Sequence, residues 1–555
     1  MDISGKDPVR GGIAGPFGRR RVLRGALAAG LAPMVMGFPA LAQGPRPVVD
    51  TAKGKLRGAT EAGVHSFKGI PYAASTAGAN RFRPPVPVEP WAGIRDAVTF
   101  GASAPQGPGG TDPLTAWYGA LQPVSEDCLS LNVFTPGLNA DARRPVMVWI
   151  HGGTWSSCAG SAPGFDGTAL ASSGDVVVVT VNHRLNLFGY VRLDDPDERF
   201  ADSGNAGVLD LVAALQWVRD TIAGFGGDPA NVTIFGQSGG AAKVSALLAM
   251  PAAKGLFHKA IAQSCSGSLR LAGPEEAARM THALAAQLGI EGGNGAAWQA
   301  VPAEQIIAAL GTTPRPFRPV LDGRNFPQNP FDPAAPAPAR DIPLMIGNAA
   351  NETRLYLAAD PWNFTLDSAE VHKRVGRFVQ IDAAETSRLI DAYRASLPDP
   401  SPSDLLAAIT TDFTYRRNTT HEAALQAAGA QAPVYAYVFN WKTPVMGGVL
   451  QTPHTLEVPF IFGTTAAAAP LVGDGPDIAP LTRTMMATWV AFARTGNPNT
   501  AALPTWPRYD GATTRSTMLL ERESTVAGNP GGEARQALDR YPFFEYSMPI
   551  NYVRA

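Results

Sequence analysis

Beyond residue 140 the chain alternates between short, almost unbroken apolar runs and longer stretches in which apolar residues recur every three or four positions. The runs are "PVMVWIHGG" from Pro145, "DVVVVTVNHR" from Asp175, "NVTIFGQSGG" from Asn231, "PLMIGNAANE" from Pro343 and "PVYAYVFNW" from Pro433. Short apolar runs without polar alternation predict strands covered on both faces, as inside a parallel sheet. Between the second and third runs, "GNAGVLDLVAALQWVRDTIAGF" from Gly204 has helical periodicity and stops at the turn "GGDPAN". Strand, helix, strand in succession predicts an α/β fold with a large, mostly parallel central sheet flanked by helices.

Upstream, "VVDTAKGKLRGATEAGVHSFKGIPYA" alternates β-branched and polar residues between glycines and predicts small N-terminal antiparallel strands, followed by a loop at "RFRPPVPVEPW". The segments "PEEAARMTHALAAQLGI", "PAEQIIAALGT", "SAEVHKRVGRF" and "LIDAYRASL" predict a helical insertion between the later strands. No repeat and no clean linker interrupts this pattern, so residues 43–555 are expected to form a single domain.

The N-terminus departs from both patterns. Arginines at 19–21 and 24 precede an apolar stretch from Val22 to Leu41 that ends in Ala40-Leu41-Ala42, a small-residue cleavage signal. The cluster resembles the twin-arginine pattern of bacterial export, and residues 1–42 are expected to be a cleavable signal delivering the protein to the periplasm or medium. Pro33, Pro39 and many small residues dilute the stretch below what a membrane anchor needs, so no stable span is expected after cleavage.

At 555 residues the chain exceeds the usual size of one core, although large α/β folds often do so. With 45% hydrophobic and 17% charged residues its composition is that of an ordinary globular protein. A formal net charge of -1, with no basic run beyond the first 25 residues, argues against a nucleic-acid partner. Three cysteines, Cys128, Cys158 and Cys265, have no C-x-x-C spacing, and no disulfide is expected among them.

Gly236-Gln237-Ser238-Gly239-Gly240 fits G-x-S-x-G, with a strand before it and a small-residue helix start after it. A serine on so sharp a turn needs neighbours without bulk, and the helix N-terminus behind it favours a developing anion. The bare string also occurs in plain glycine-rich turns; the flanking strand and helix select the nucleophile. In α/β-hydrolase order an acid and then a histidine follow the serine, which excludes His65, His151 and His183. His454 stands between "VYAYVFNW" with its loop and the apolar "VPFIFG", whereas His282, His372 and His421 lie in polar helical patterns. Glu352 follows the strand "PLMIG" by a short loop and Asp341, Asp360 and Asp367 fit a strand end less well, but the residues alone leave the acid open. "HGGTW" after "PVMVWI" is a loop of the kind that presents backbone N–H groups to an oxyanion, or else only a tight turn. The chain has no HExxH, no Walker A and no dinucleotide fingerprint in context, so no metal or cofactor is expected.

These residues resemble the type-B carboxylesterase family, which includes cholinesterases and bacterial para-nitrobenzyl-type esterases. The likeness rests on "SEDCLSLNVFTP" at Ser125, "HGGTW" at His151, "NHRLNLFGY" at Asn182, "FGGDPANVTIFGQSGGAAKV" at Phe225, "FHKAIAQS" at Phe257, "GNAANETRLY" at Gly347, "HTLEVPFIFG" at His454 and "TGNPN" at Thr495. The resemblance implies an α/β-hydrolase fold, with Ser238 as nucleophile, Glu352 as acid and His454 as base. It also implies oxyanion donors at Gly153, Thr154 and Gly239, and an ester and water as the reaction's partners. Thr154 departs from the family's Gly or Ala, Gly239 from its Ala, and Ala104 from the cysteine that would pair with Cys128. By the same likeness Glu126, Asp127 and Glu457 are structural carboxylates, and a monomer or weak homodimer is expected. Trp117, Tyr118, Trp155 and Phe317 are candidate pocket-wall aromatics, with ordinary packing the alternative. Two rival functions remain: hydrolysis of a related acyl bond (carbamate, amide, lactone, bulky polyester or toxin ester), and a non-catalytic cholinesterase-like binding protein. The filled triad positions count against the second.

Overall fold

The computed structural model describes residues 46–546, 548 and 552, apart from 120–121, 292–293, 312–316 and 430. The expected export signal lies outside the described residues. The strands are β1 Val48–Thr51, β2 Gly54–Arg57, β3 Ala59–Glu61, β4 Val64–Pro71, β5 Ile94–Asp96, β6 Ser130–Thr135 and β7 Arg144–Ile150. They continue with β8 Val177–Val181, β9 Gly227–Gln237, β10 Lys259–Gln263, β11 Leu344–Ala349, β12 Val434–Phe439, β13 Ser516–Leu520 and β14 Thr525–Gly528. Each of the five apolar runs forms a strand, and β8, β11 and β12 are buried throughout, as strands covered on both faces must be.

Among the described residues eleven strands build the main sheet, in the order β14-β13-β12-β11-β10-β9-β7-β8-β6-β4-β3. The stretch from β13 to β8 is parallel, and antiparallel strands flank it at both ends. β7 shows how the sheet divides the core: Val146, Val148 and Ile150 pack into one apolar cluster, and Met147 and Trp149 into the other. The N-terminal strands split between two sheets. β3 and β4 extend the main sheet, while β1 and β2 pair antiparallel in a three-stranded sheet. β5, after the proline-rich loop, returns along β2 in parallel, which the alternation pattern alone does not reveal.

The helical insertion is present in two blocks. Pro274–Leu288, Gly295–Ala300 and Ala303–Gly311 lie between β10 and β11. Between β11 and β12, Ser368–Val379, Ala383–Ser396 and Pro402–Thr411 share a cluster of their own around Val375, Ile390 and Leu406. Pro402–Thr411 opens on a capping box between Ser401 and Asp404 and runs through a π-helical turn, Asp412–Arg416, into Arg417–Gly429. All three cysteines are free and buried. No described helix is long and apolar enough to cross a membrane.

Candidate active site

β9 ends at Gln237, and the helix Gly239–Ala249 starts two residues later. Ser238, between them, has φ 60° and ψ -123°, a backbone conformation costly for any residue with a side chain. The turn holds because the Ser238 N–H donates to Gln263 O at 2.8 Å and the Ser238 carbonyl accepts from Ala242 at 3.1 Å. Glycine is compulsory at position 240, where a Cβ would stand 2.1 Å from the Ile150 carbonyl.

Glu352 lies just past the end of β11 and is fully buried. Its Oε1 accepts from the Ser264 hydroxyl at 2.7 Å and from the Ala349 N–H at 2.8 Å. Its Oε2 contacts Nδ1 of His454 at 2.5 Å. His454 is held in addition by its own N–H, which donates to Glu352 O at 3.0 Å, and by the rings of Tyr356 and Tyr415 at 5.5 and 4.7 Å. With the proton on Nδ1 facing Glu352, Nε2 presents its lone pair. Tyr415 reaches this place from the π-helical turn, whose extra residue per turn re-aims its side chains.

Ser238 is brought to the same place through its chain neighbour Gln237, not through a hydrogen bond from its own hydroxyl to the imidazole. Nε2 of Gln237 lies 3.3 Å from Nδ1 and 3.2 Å from Nε2 of His454. An atom almost equally close to both ring nitrogens sits against the face of the ring rather than along the axis of either nitrogen. Oε1 of Gln237 accepts from the Tyr118 hydroxyl at 3.0 Å, and that hydroxyl accepts from the Gly152 N–H at 3.2 Å. A continuous chain of polar contacts thus joins the His151–Trp155 loop to the imidazole.

That loop brings Gly153 and Thr154 against Gly239. Both loop residues are left-handed, at φ 75° and 54°. A Cβ at Gly239 would lie 2.3 to 2.5 Å from O, Cα and N of Thr154, so the two departures from the family pattern fit each other: the loop backbone occupies the space an alanine would need. Gly239 opens its helix, so its N–H has no acceptor within it. Left-handed Thr154 is tied down by its side chain, which donates to Gly153 O at 2.7 Å and accepts from the Tyr546 hydroxyl at 2.8 Å.

Sequence reasoning misses Gln237, Lys243 and Tyr546, and sees Tyr118 only as a wall aromatic. Trp117, Trp155 and Phe317 are buried in packing. Of the carboxylates read as structural, Glu126 pairs with Arg81 at 2.5 Å. Glu457 is different: burial, with the nearby Glu352 charge, pushes its carboxyl up to about 8, although it accepts bonds from its own backbone N–H and, at 3.3 Å, from Gln263.

Comparison with known proteins agrees along nearly the whole chain. The sequence model of the carboxylesterase family matches residues 45–537. A para-nitrobenzyl esterase of Bacillus subtilis is 39% identical, over 88% of this chain and 98% of its own. A phenmedipham hydrolase of Pseudarthrobacter oxydans is 35% identical, over 84% of this chain and 93% of its own. Among solved structures, a carboxylesterase of Geobacillus stearothermophilus superposes with a TM-score of 0.78 at 39% identity, covering 89% of this chain and all of that one. A Clostridium hathewayi esterase described as hydrolysing aliphatic aromatic polyesters gives 0.76 at 34%, over 89% of this chain and 98% of its own. The chain belongs to the carboxylesterase family and is a carboxylic ester hydrolase of the α/β-hydrolase fold.

Proposed function

We propose that this protein is an exported serine esterase in which Ser238 is the nucleophile, His454 the base and Glu352 the acid. The observation that carries the reading is the 2.5 Å contact between Glu352 and His454 Nδ1, which turns the other ring nitrogen away from the acid, beside Gln237, the chain neighbour of a serine on a strained strand-to-helix turn. As Ser238 attacks the ester carbonyl, His454 takes its proton, and Glu352 holds the imidazole in the required tautomer and offsets its charge. The carbonyl oxygen, now an anion, is received by the N–H groups of Gly153, Thr154 and Gly239, aided by the helix N-terminus at Gly239. His454 returns the proton to the departing alcohol, and a water deacylates the enzyme by the same route.

The substrate in this reading is a small-molecule carboxylic ester, and residues 1–42 are a twin-arginine-like signal that places domain 43–555, a monomer or weak homodimer, in the periplasm or outside the cell. Hydrolysis of a related acyl bond is a second reading, favoured by the relative named for phenmedipham hydrolysis and the neighbour described as acting on polyesters. Labelling with a fluorophosphonate, followed by peptide mapping, tests the assignment. The adduct is expected on Ser238 and lost in Ser238→Ala together with turnover of short-acyl p-nitrophenyl esters; an adduct on another serine overturns it.

A further inference from the structure

Five residues after Ser238, in a helix otherwise made of small and apolar residues and one serine, stands Lys243, with none of its surface exposed. Its Nζ donates to His151 O at 2.9 Å and to Gly152 O at 3.4 Å, and lies 5.6 Å from the centre of the Trp155 ring. The titratable groups facing it are His151 and His183, stacked 4.7 Å apart, and the Cys158 thiol. Burial, with the Lys243 charge, holds both imidazoles well below their usual range, and burial pushes the thiol up to about 12. Among the described residues no carboxylate stands within ion-pair distance of Lys243. The ammonium is therefore buried without a counter-charge, and desolvation brings the group down to about 7.

A methionine or leucine would fill this position without that cost, so what the ammonium touches is informative. Both of its acceptors are carbonyls of the His151–Trp155 loop. The carbonyl of Gly152 shares its peptide with the N–H of Gly153, and that of His151 with the N–H of Gly152. A cation on the oxygen of a peptide draws density from its nitrogen and strengthens the N–H as a donor. One of these N–H groups is an oxyanion donor in the reading above; the other enters the chain through Tyr118 and Gln237 to His454.

We propose that Lys243 is a positioning residue that backs the oxyanion hole, its ammonium fixing the loop at His151 O and Gly152 O and polarising the Gly152–Gly153 peptide toward the anion formed on the ester carbonyl. The proposal rests on the serine-esterase reading. Lys243 never meets substrate; it acts through the loop, and its effect belongs to the transition state, where the anion exists.

The test compares wild type with Lys243→Met, which keeps an unbranched apolar stem out to Cε and removes the amine, and Lys243→Gln, which keeps a donor and removes the charge. Active sites are counted by fluorophosphonate labelling. The readouts, taken at pH 6 where the folded chain keeps Lys243 charged, are kcat and KM for a short-acyl p-nitrophenyl ester and the affinity of a trifluoromethyl ketone, whose serine adduct carries an oxyanion. Losing one oxyanion donor outright costs about 100-fold or more, and weakening one costs less. Both variants are expected to lose about tenfold in kcat and in trifluoromethyl ketone affinity, with KM within about twofold of wild type. Either variant, labelled at full stoichiometry and with kcat and ketone affinity within about twofold of wild type, overturns the proposal, so failure of one to fold leaves the other decisive. A wild type that fails to label at Ser238 overturns the esterase reading instead.

Discussion

Replacing Lys243 by methionine also makes a stability prediction whose sign depends on pH. Burial lowers this lysine from 10.5 to about 7, and at about 1.4 kcal/mol per pH unit the buried charge corresponds to about 5 kcal/mol. Below pH 7 the group is charged in both folded and unfolded chains, and the folded state carries the whole cost. Between pH 7 and 10.5 the folded chain gives up the proton while the unfolded chain keeps it, so wild-type stability rises with pH across that window. Methionine removes the cost but leaves the carbonyls of His151 and Gly152 without this donor, a loss of about 1–3 kcal/mol at every pH. The variant is therefore expected to be more stable than wild type by about 2–4 kcal/mol at pH 6 and less stable by about 0–2 kcal/mol near pH 10, where about 1 kcal/mol of the cost still remains. For a chain of this length 1 kcal/mol moves Tm by about 1 °C, so melting curves of both proteins at pH 6, 8 and 10 resolve the crossing. A Tm difference that stays constant from pH 6 to 10 would refute the claim that a lone ammonium is buried behind the loop.

Two further substitutions probe the site. Glu352→Gln keeps the shape of the acid but removes the charge that orients and offsets the imidazole; kcat is expected to fall by about 10⁴ with KM little changed, as steady-state kinetics will report. Gly239→Ala places a methyl 2.3 to 2.5 Å from the Thr154 backbone and must displace the loop. A loss of about 100-fold in kcat is expected, checked against fluorophosphonate labelling, which should slow in step because the phosphonyl oxygen uses the same donors.

The strands and the turn that carry this site were legible because their signals are local: β9, the glycines about Ser238 and the helix start all lie within a few residues. Glu352 was harder, since a carboxylate after a strand is common on surfaces, and only the family likeness separated it from Asp341, Asp360 and Asp367. What sequence reasoning could not reach are contacts between distant segments. Tyr118 and Gln237 stand 119 residues apart, Gln237 and His454 217 apart, and each is an ordinary polar residue until the fold joins them. Lys243 did leave a trace. It is the one charge in "GGAAKVSALLA", a helix too apolar to face water on any side, and a lysine there must be buried.

The bond from Tyr546 to Thr154 has a consequence for how such an enzyme diversifies. Tyr546 lies beyond residue 537, where the match to the carboxylesterase family ends, yet its hydroxyl donates directly to the Thr154 side chain of the His151–Trp155 loop. In the proposed mechanism, substitutions at Tyr546 act on the oxyanion loop through Thr154 while Ser238, Glu352 and His454 stay untouched. A residue outside the stretch matched by the family model thus reaches the loop proposed to receive the oxyanion, and libraries aimed at new substrates gain a position there besides the pocket itself.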